Sequence, residues 1–247
     1  MSRYKLIIQY DGTYFFGWQL QPNKRTVQGE VEKALMRFMN TLKRIPIHGS
    51  GRTDTGVHAI AQVAHSDFEC SKSENVIKNA MNSFLDKDCH IMHVEKVSEN
   101  FHARFNAISR KYRYQIYTGK SIFYRTQAWY LKIDGIEGIN SISKYLLGDH
   151  DFLSFSKFQK HKENTICTII DSEWKVKGDF INFFIVGNRF LHHMVRYLVG
   201  TIIMVNQNKK SLEDFSSLLD NPQKNAKVSK APPCGLFLEK VSYELSE

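Results

Sequence analysis

The sequence predicts an α+β fold built largely on antiparallel β-sheet. Apolar residues alternate along several short segments, other segments repeat apolar residues at helical spacing, and turn sequences join neighbouring segments. The chain has 247 residues, of which 42% are hydrophobic and 24% charged. It is therefore long enough to bury a substantial core, in one large domain or in two of ordinary size.

The first part of the chain predicts the order strand, helix, two strands, helix, strand. Residues 4–10 (YKLIIQY) read as a buried strand that ends at the turn DGT. Thr26 is the expected cap of a helix with an apolar stripe, and Ser71 with Glu74 predicts a capping box before a second helix. The segments IAQVAHSDF and CHIMHVEKV alternate like strands.

The rest of the chain repeats the same kinds of element. RKYRYQIYT alternates like a strand, TICTIIDSEWKV and DFINFFIVG form two long strands joined by the turn KGD, and GLFLEKVSY is a final strand. Residues 139–147, 190–205 and 211–219 predict helices. We expect two halves, residues 1–103 and 104–247.

Charge is the first indication of a partner. Lys plus Arg number 34 against 25 Asp plus Glu, a net charge of +9, which favours a polyanion such as nucleic acid. Residues 100–133 contain no acidic residue but many basic and aromatic ones. Basic groups can neutralise phosphates and aromatic faces can stack on unpaired bases, although core aromatics beneath a solvated basic face are an alternative.

Several classes of protein are not indicated. The four cysteines, Cys70, Cys89, Cys167 and Cys234, form no C-x-x-C and have no histidine pair at zinc-ligand spacing, so we expect no metal site and a reducing cytoplasm. The segment MSRYKLIIQYDG lacks the long apolar run of a secretory signal. No apolar run approaches the length that spans a membrane.

Residues 49–58 read GSGRTDTGVH and form the strongest candidate site. Glycines permit unusual backbone conformations and the close approach of another chain. Arg52 offers a permanent charge with a planar fork of donors, and Asp54 offers a carboxylate that can act as nucleophile, base or cap. A plain surface turn is an alternative, because Asp, Thr and Gly are common turn residues.

A second alternative is an aspartic protease, because DTG occurs at the active sites of those enzymes. That chemistry needs two facing carboxylates that share a proton. The best second triplet in the chain, Asp171-Ser172-Glu173, lacks the glycine, so this alternative is weak.

Six segments, in order, carry a family resemblance. They are YDGTYFFGWQLQPNKRTVQGEVEKAL, GRTDTGVHA, FHARFNAISRKYRYQIY, LLGDHDFLSF, NRFLHHMVRYLVG and APPCGLFLEKVSY. Over essentially the whole chain they resemble the TruA family of tRNA pseudouridine synthases. The resemblance implies two similar halves that share a long antiparallel sheet, with the active site in the cleft between them.

The resemblance also implies a reaction and its residues. Asp54 matches the catalytic aspartate, Tyr112 matches the tyrosine that lines the target base, Arg196 matches the arginine that pairs with the aspartate, and Arg52 matches the arginine that holds the uridine out of its stem. The implied reaction breaks the C1′–N1 bond of uridine, rotates the base and rejoins it through C5. No cofactor or metal is implied.

The implied partner is tRNA, at positions 38, 39 and 40 of the anticodon stem-loop, bound by a cytoplasmic homodimer that places one tRNA against both subunits. We expect Arg110, Lys111 and Arg113 to contact the RNA. A catalytically silent RNA-binding protein on the same scaffold is the alternative from another class. The chain departs from the family pattern at Cys167, where arginine is usual, at Asp86, where proline is typical, and at Cys89, where an aliphatic residue is usual.

Elementary chemistry supports these roles. A buried carboxylate alone has a raised pKa, and a nearby guanidinium lowers that pKa. Arg196 lies in so apolar a segment that it predicts either a buried anionic partner or extension to water. Tyr112 is a candidate to stack on a flipped uracil, and the alternative is a core tyrosine. His192 and His193 on a helix would point about 100° apart, so we expect no chemical role for the pair.

Overall fold

The computed structural model describes residues 1–133, 135–157 and 164–244. The chain divides into two compact units, Met1–Ile108 with Phe237–Glu247, and Ser109–Leu236. Each unit combines helices with a largely antiparallel sheet, so the predicted α+β class is confirmed. The predicted halves 1–103 and 104–247 stay a prediction.

In the described residues, the first unit contains a five-stranded sheet and two helices. Its elements are β1 (Ser2–Tyr10), α1 (Val27–Phe38), β2 (His48–Gly49), β3 (His58–Phe68), α2 (Glu74–Ser83) and β4 (Cys89–Val97). Strand β1 pairs antiparallel with both β3 and β4, and β2 pairs with β3. The last strand of the chain, residues 236–243, adds parallel to β3.

The helices of this unit begin where local chemistry allows. The Thr26 hydroxyl accepts a hydrogen bond from Gly29 N–H at 3.3 Å, which confirms the predicted cap of α1. The predicted capping box of Ser71 and Glu74 is wrong. Helix α2 begins at Glu74 itself, so Glu74 is one residue past the cap, Ser73, and cannot reach back as the third helical residue would. Among the described residues, the Ser73 hydroxyl makes no capping bond.

The second unit contains a hairpin sheet covered by three helices. Its elements are β5 (Ala107–Tyr117), β6 (Trp129–Tyr130), α3 (Glu137–Tyr145), β7 (Gly148–Asp151), β8 (Ile166–Lys177), β9 (Phe180–Gly187), α4 (Met194–Asn206) and α5 (Leu212–Asp220); β10 (Leu236–Tyr243) follows. Strand β9 pairs antiparallel with β5 and β8, and β7 pairs with β8. The predicted KGD turn holds Gly178 at φ +57, and Ser211 and Asp214 complete the predicted capping pattern of α5.

The predicted helix over 190–205 begins later than expected. Helix α4 starts at Met194, because His193 has φ +66 and a left-handed residue cannot continue a right-handed helix. The rings of His192 and His193 are therefore not separated by 100°; their centroids lie 4.0 Å apart. The expectation that these rings diverge was wrong for this reason.

A membrane-spanning helix is not found in the described part of the chain. None of the helices within residues 1–133, 135–157 and 164–244 combines the length and the apolar character that crossing a bilayer requires.

Three histidines of the first unit cluster beside the turn at residues 101–106. His65 stacks on His48 at 5.1 Å between centroids and meets His102 edge-on at 4.6 Å. Nδ1 of His65 accepts a hydrogen bond from the backbone N–H of Ala103 at 3.2 Å, and Nδ1 of His102 accepts from the N–H of Arg104 at 3.1 Å. Both rings are therefore held neutral, with their proton on Nε2.

We predict an acid-sensitive contribution of His65 to stability. Burial first, and then electrostatic repulsion by His102, Arg3 and His48 whenever these groups are protonated, lower the pKa of His65 from 6.5 to about 4, against an opposing effect of Asp67. Because the folded pKa lies below the unfolded one, the contribution is complete above pH 6.5 and is lost as the pH falls towards 4. As the pH falls from 6.5 to 4, the free energy of unfolding of His65→Gln, measured in urea, should therefore rise by up to roughly 3 kcal/mol relative to that of the parent.

The matched control for this prediction is His90→Gln, because His90 is an exposed histidine of β4. This variant measures what the removal of a surface histidine does to stability over the same pH range. A difference for His65→Gln no larger than that of the control would show that His65 is not the acid-sensitive group.

Candidate active site

The loop GSGRTDTGVH connects β2 to β3 in the first unit and contains Arg52 and Asp54. The side chain of Arg52 is exposed, that of Asp54 is half-buried, and the residue between them, Thr53, is buried. The loop is tied to β3 by Gln62, whose side chain accepts from the Ser50 hydroxyl at 2.7 Å and donates to Gly51 O at 3.0 Å. The candidate carboxylate therefore follows a firmly anchored stretch of chain.

A second segment, residues 12–18, lies against this loop and bonds to its backbone. Trp18 N–H donates to Thr53 O at 3.1 Å, and Gly56 N–H donates to Phe15 O at 3.3 Å. The ring of Trp18 is itself buried. These two bonds attach the loop to this segment on both sides of Asp54.

Glycine is required where the two segments meet. Gly17 has φ +83, and a Cβ added there would lie 2.5 Å from Thr53 O and 3.1 Å from Asp54 C. A Cβ on Gly12 would lie 2.0 Å from Val57 O. Any other residue at these positions would push the Asp54 loop away from its support.

A contact between His58 and Asp11 closes the far end of the loop. Nδ1 of His58 lies 3.1 Å from Oδ1 of Asp11 and 3.0 Å from the backbone nitrogen of Gly12. The hydrogen bond with His58 is the main cause that holds the pKa of Asp11 well below its ordinary value; bonds from Thr13 add to it and partial burial opposes it. The His58 ring also stacks on Phe237 at 4.6 Å.

Tyr112 lies on β5 in the second unit, with its side chain in the core. It is 9% exposed and shares its face of the strand with Tyr114 and Ile116, which are fully buried. Its ring meets Phe190 edge-on at 5.0 Å between centroids. The core position that the sequence left as an alternative is therefore observed, while the role of Tyr112 towards a base stays a prediction.

Arg196 lies on α4 in the same unit and is buried. Its side chain is 7% exposed, so the alternative that it extends to water is wrong. Its Nε donates to Ala231 O at 2.8 Å, and Ala231 N–H donates to Arg196 O at 3.0 Å. This close contact requires Gly200 one turn later, where a Cβ would lie 2.4 Å from Ser229 O.

The other face of β5 presents basic groups. Lys111 Nζ lies 4.8 Å above the ring of Phe184, and Arg113 donates from Nη1 to Gln115 Oε1 at 2.7 Å. Lys175 of β8 lies 5.8 Å from the same Phe184 ring, a neighbour that sequence reasoning missed because strand pairing was not known. The third predicted RNA contact, Arg110, donates from Nη1 to Asn188 O at 2.7 Å at the start of the strand.

The structure thus distributes the predicted residues between both units. Asp54 and Arg52 belong to the first, and the second contains Tyr112, Arg196 and the basic residues of β5. Sequence reasoning gave no role to Tyr10, Asp11, Gly17 or His58, although the signature that begins at Tyr10 contains the first three and GRTDTGVHA contains His58.

Comparison with known proteins identifies the family. A family model described as tRNA pseudouridine synthase matches residues 6–106 and 142–244. The chain belongs to this family. The resemblance to the tRNA pseudouridine synthases and the predicted class of enzyme, an isomerase, are thereby confirmed. The aspartic-protease alternative has no support.

Relatives match over nearly their full length. A tRNA pseudouridine synthase A of Bacillus licheniformis is 39% identical over 98% of this chain and 99% of its own. The protein of that name from Geobacillus kaustophilus is 40% identical over 98% and 95%, and that from Brachyspira hyodysenteriae is 37% identical over 99% and 99%. Among solved structures, a chain of a Cbf5-Nop10-Gar1 complex aligns with a TM-score of 0.37 and 9% identity, over 95% of this chain and 57% of that one.

We predict that two glycines of the candidate loop respond differently to the same substitution. A Cβ on Gly49 would lie 2.6 Å from the buried ring of Trp18, whereas a Cβ on Gly51 would have no described atom within 4 Å. Gly49→Ala should therefore lower the free energy of unfolding by roughly 1–3 kcal/mol, and Gly51→Ala by less than about 0.5 kcal/mol. Equal losses in urea unfolding would contradict the close contact between Trp18 and Gly49.

Proposed function

We propose that this chain isomerises uridine to pseudouridine in tRNA, with Asp54 as the catalytic carboxylate. The observation that carries the proposal is the loop with the sequence GRTD in a chain of this family. The loop packs on buried residues of the first unit, with Asp54 half-buried and Arg52 exposed. We extend the proposal, from the TruA resemblance, to positions 38, 39 and 40 of the anticodon stem-loop, to a homodimer and to the cytoplasm.

The proposed reaction exchanges one glycosidic bond for another. The C1′–N1 bond breaks, the uracil rotates, a C1′–C5 bond forms, and the proton lost from C5 is balanced by one gained at N1. The ionised carboxylate of Asp54 acts at this centre, as a nucleophile or by stabilising positive charge on the sugar. No oxidant, reductant or cofactor is needed for this balance.

The remaining residues prepare the base and the carboxylate. A stacked and paired uridine must first leave its stem, and Arg52, exposed beside Asp54, is placed to brace the vacated space. Tyr112 offers an aromatic face to the uracil and a hydroxyl for the proton at C5. Arg196 carries a buried positive charge, which as a partner of Asp54 would keep the carboxylate ionised.

The proposed RNA contacts use the basic face of β5. Lys111 and Arg113 point away from the core side chains of the same strand, and Lys175 adds a third cation beside Phe184. Lysine and arginine neutralise phosphates without reading the sequence, so these residues supply affinity rather than choice of uridine. Arg110 extends the set towards the start of the strand.

Replacing the proposed catalytic carboxylate provides the first test. Asp54→Ala should abolish pseudouridine formation, measured by tritium release from tRNA labelled at C5 of uridine, because no other group replaces the carboxylate. Binding of tRNA should persist within about threefold, since Asp54 is only one of many groups that meet the RNA.

The matched control is Asp220→Ala, which removes an exposed carboxylate at the end of α5. It should retain the turnover of the parent. Turnover retained by Asp54→Ala would refute the catalytic assignment. Tight tRNA binding without turnover by the parent itself would favour the silent RNA-binding protein.

The salt dependence of binding tests the basic face. Replacing Lys111 or Arg113 by alanine should weaken tRNA binding and reduce the slope of log K against log salt by about 0.7 to 0.9 for each lost phosphate contact. Lys72→Ala, at an exposed lysine of the first unit, is the control of equal charge and should leave the slope unchanged. An unchanged slope for Lys111→Ala and Arg113→Ala would mean that neither meets a phosphate.

A further inference from the structure

We propose that the hydroxyl of Tyr10 is a positioning group that fixes Asp54 through Thr53. Tyr10 Oη lies 2.8 Å from Thr53 Oγ1, in a bond that links residues 43 positions apart in the chain. Both side chains are buried. The inference rests on the proposed role of Asp54, and it assigns a function to a tyrosine that does not itself carry the chemistry.

Thr53 is held from three directions. Its side chain bonds to Tyr10, its carbonyl oxygen accepts from Trp18 N–H at 3.1 Å, and its backbone packs against the bare Cα of Gly17. Asp54 follows directly, and its own carbonyl accepts from Val57 N–H at 3.1 Å. With the residue before it immobilised, the Cα of Asp54 has little freedom to move.

The backbone bonds alone do not fix how Thr53 is rotated. A single N–H···O bond permits rotation about its axis, and Gly17 excludes motion in one direction only. The hydroxyl pair adds a side-chain bond to the backbone bond. Together the two bonds set the direction in which the Cα–Cβ bond of the next residue points, which is the direction of the Asp54 carboxylate.

Tyr10 is rigid enough to serve this purpose. It ends β1 and has partners on both sides, Ala59 on β3 and Cys89 on β4. Its ring has aromatic neighbours in Phe15 and Trp18, each at 6.3 Å between centroids. The hydroxyl is therefore fixed by a central strand of the sheet rather than by the loop that it supports.

Phe15, and with it the segment of residues 12–18, is held by Arg25. The guanidinium of Arg25 lies 4.1 Å above the ring of Phe15 and donates from both Nη atoms to Asp88, at 2.7 and 2.8 Å. Asp86, which departs from the family pattern, accepts a third bond from Arg25 at 3.0 Å. Arg25 thus connects Phe15, in the segment that packs against the Asp54 loop, to Asp86 and Asp88 before β4.

The expected kinetic signature distinguishes positioning from affinity. A misplaced carboxylate lowers the rate of the chemical step, because reaction depends on the geometry of attack, and it leaves the contacts with the rest of the tRNA in place. Tyr10→Phe keeps the ring and removes only the hydroxyl. It should reduce kcat about tenfold and leave KM for tRNA within twofold.

Tyr4 provides a matched control on the same strand. It is 3% exposed, as is Tyr10, stacks on Phe68 at 4.3 Å, and donates its hydroxyl to Cys70 O at 3.3 Å, away from the candidate loop. Tyr4→Phe should lose a similar buried hydroxyl, and similar stability, while kcat stays within twofold of the parent. If the loss of any buried hydroxyl lowered kcat, the kcat of Tyr4→Phe and that of Tyr10→Phe would fall equally.

The partner residue completes a double-mutant cycle. Thr53→Val should reproduce the loss of kcat, Thr53→Ser should retain most of the activity because it keeps the hydroxyl, and Tyr10→Phe combined with Thr53→Val should be no slower than either alone. Additive losses, a kcat of Tyr10→Phe within twofold of the parent, or a loss confined to KM would each overturn the proposal.

Amide hydrogen exchange separates this inference from the proposed function. Peptides covering residues 50–58 should exchange about tenfold faster in Tyr10→Phe than in Tyr4→Phe, whether or not the parent modifies tRNA. An inactive parent with this difference would refute the proposed function and keep the hydroxyl's structural role. An active parent with equal exchange and equal kcat in both variants would refute only the positioning role.

Discussion

The candidate site depends on one contact, the packing of residues 10–18 against the loop at 49–58. Because β1 and β3 are antiparallel, with Tyr10 opposite Ala59, the end of β1 lies beside the start of β3. The segment after β1 and the loop before β3 therefore emerge at the same edge of the sheet. Three glycine or hydroxyl contacts, at Gly12, Gly17 and Tyr10, then bring the two backbones together and hold Asp54 half-buried.

In the second unit, strand alternation places apolar and basic side chains on opposite faces of β5. On β5, Tyr112, Tyr114 and Ile116 face the core, and Lys111 and Arg113, which alternate with them, lie on the opposite face. One strand thus supplies apolar and aromatic side chains to the core and basic side chains to its opposite face. This arrangement follows from the two-residue period of a strand, since a shift of one residue would exchange the two sets.

Buried arginine in an apolar helix needs a compensating structure. Arg196 obtains part of it from the carbonyl of Ala231, which reaches α4 because Gly200 leaves room for the chain at Ser229. A side chain at position 200 would move that chain away and leave the guanidinium with a lost hydrogen bond. The positive charge proposed to support Asp54 is therefore maintained by a glycine one turn away on the same helix.

The sequence alone determined many of the local elements and singled out the loop as the candidate site. Alternation located β4 and the β8–β9 hairpin, and Thr26 marked the start of α1, because these signals act over a few residues. Only the tertiary structure decided the rest: the left-handed His193 that delays α4, the burial of Arg196, and the bond between Tyr10 and Thr53. Those features join residues far apart in the chain, and local propensity carries no information about which distant groups a fold brings within 3 Å.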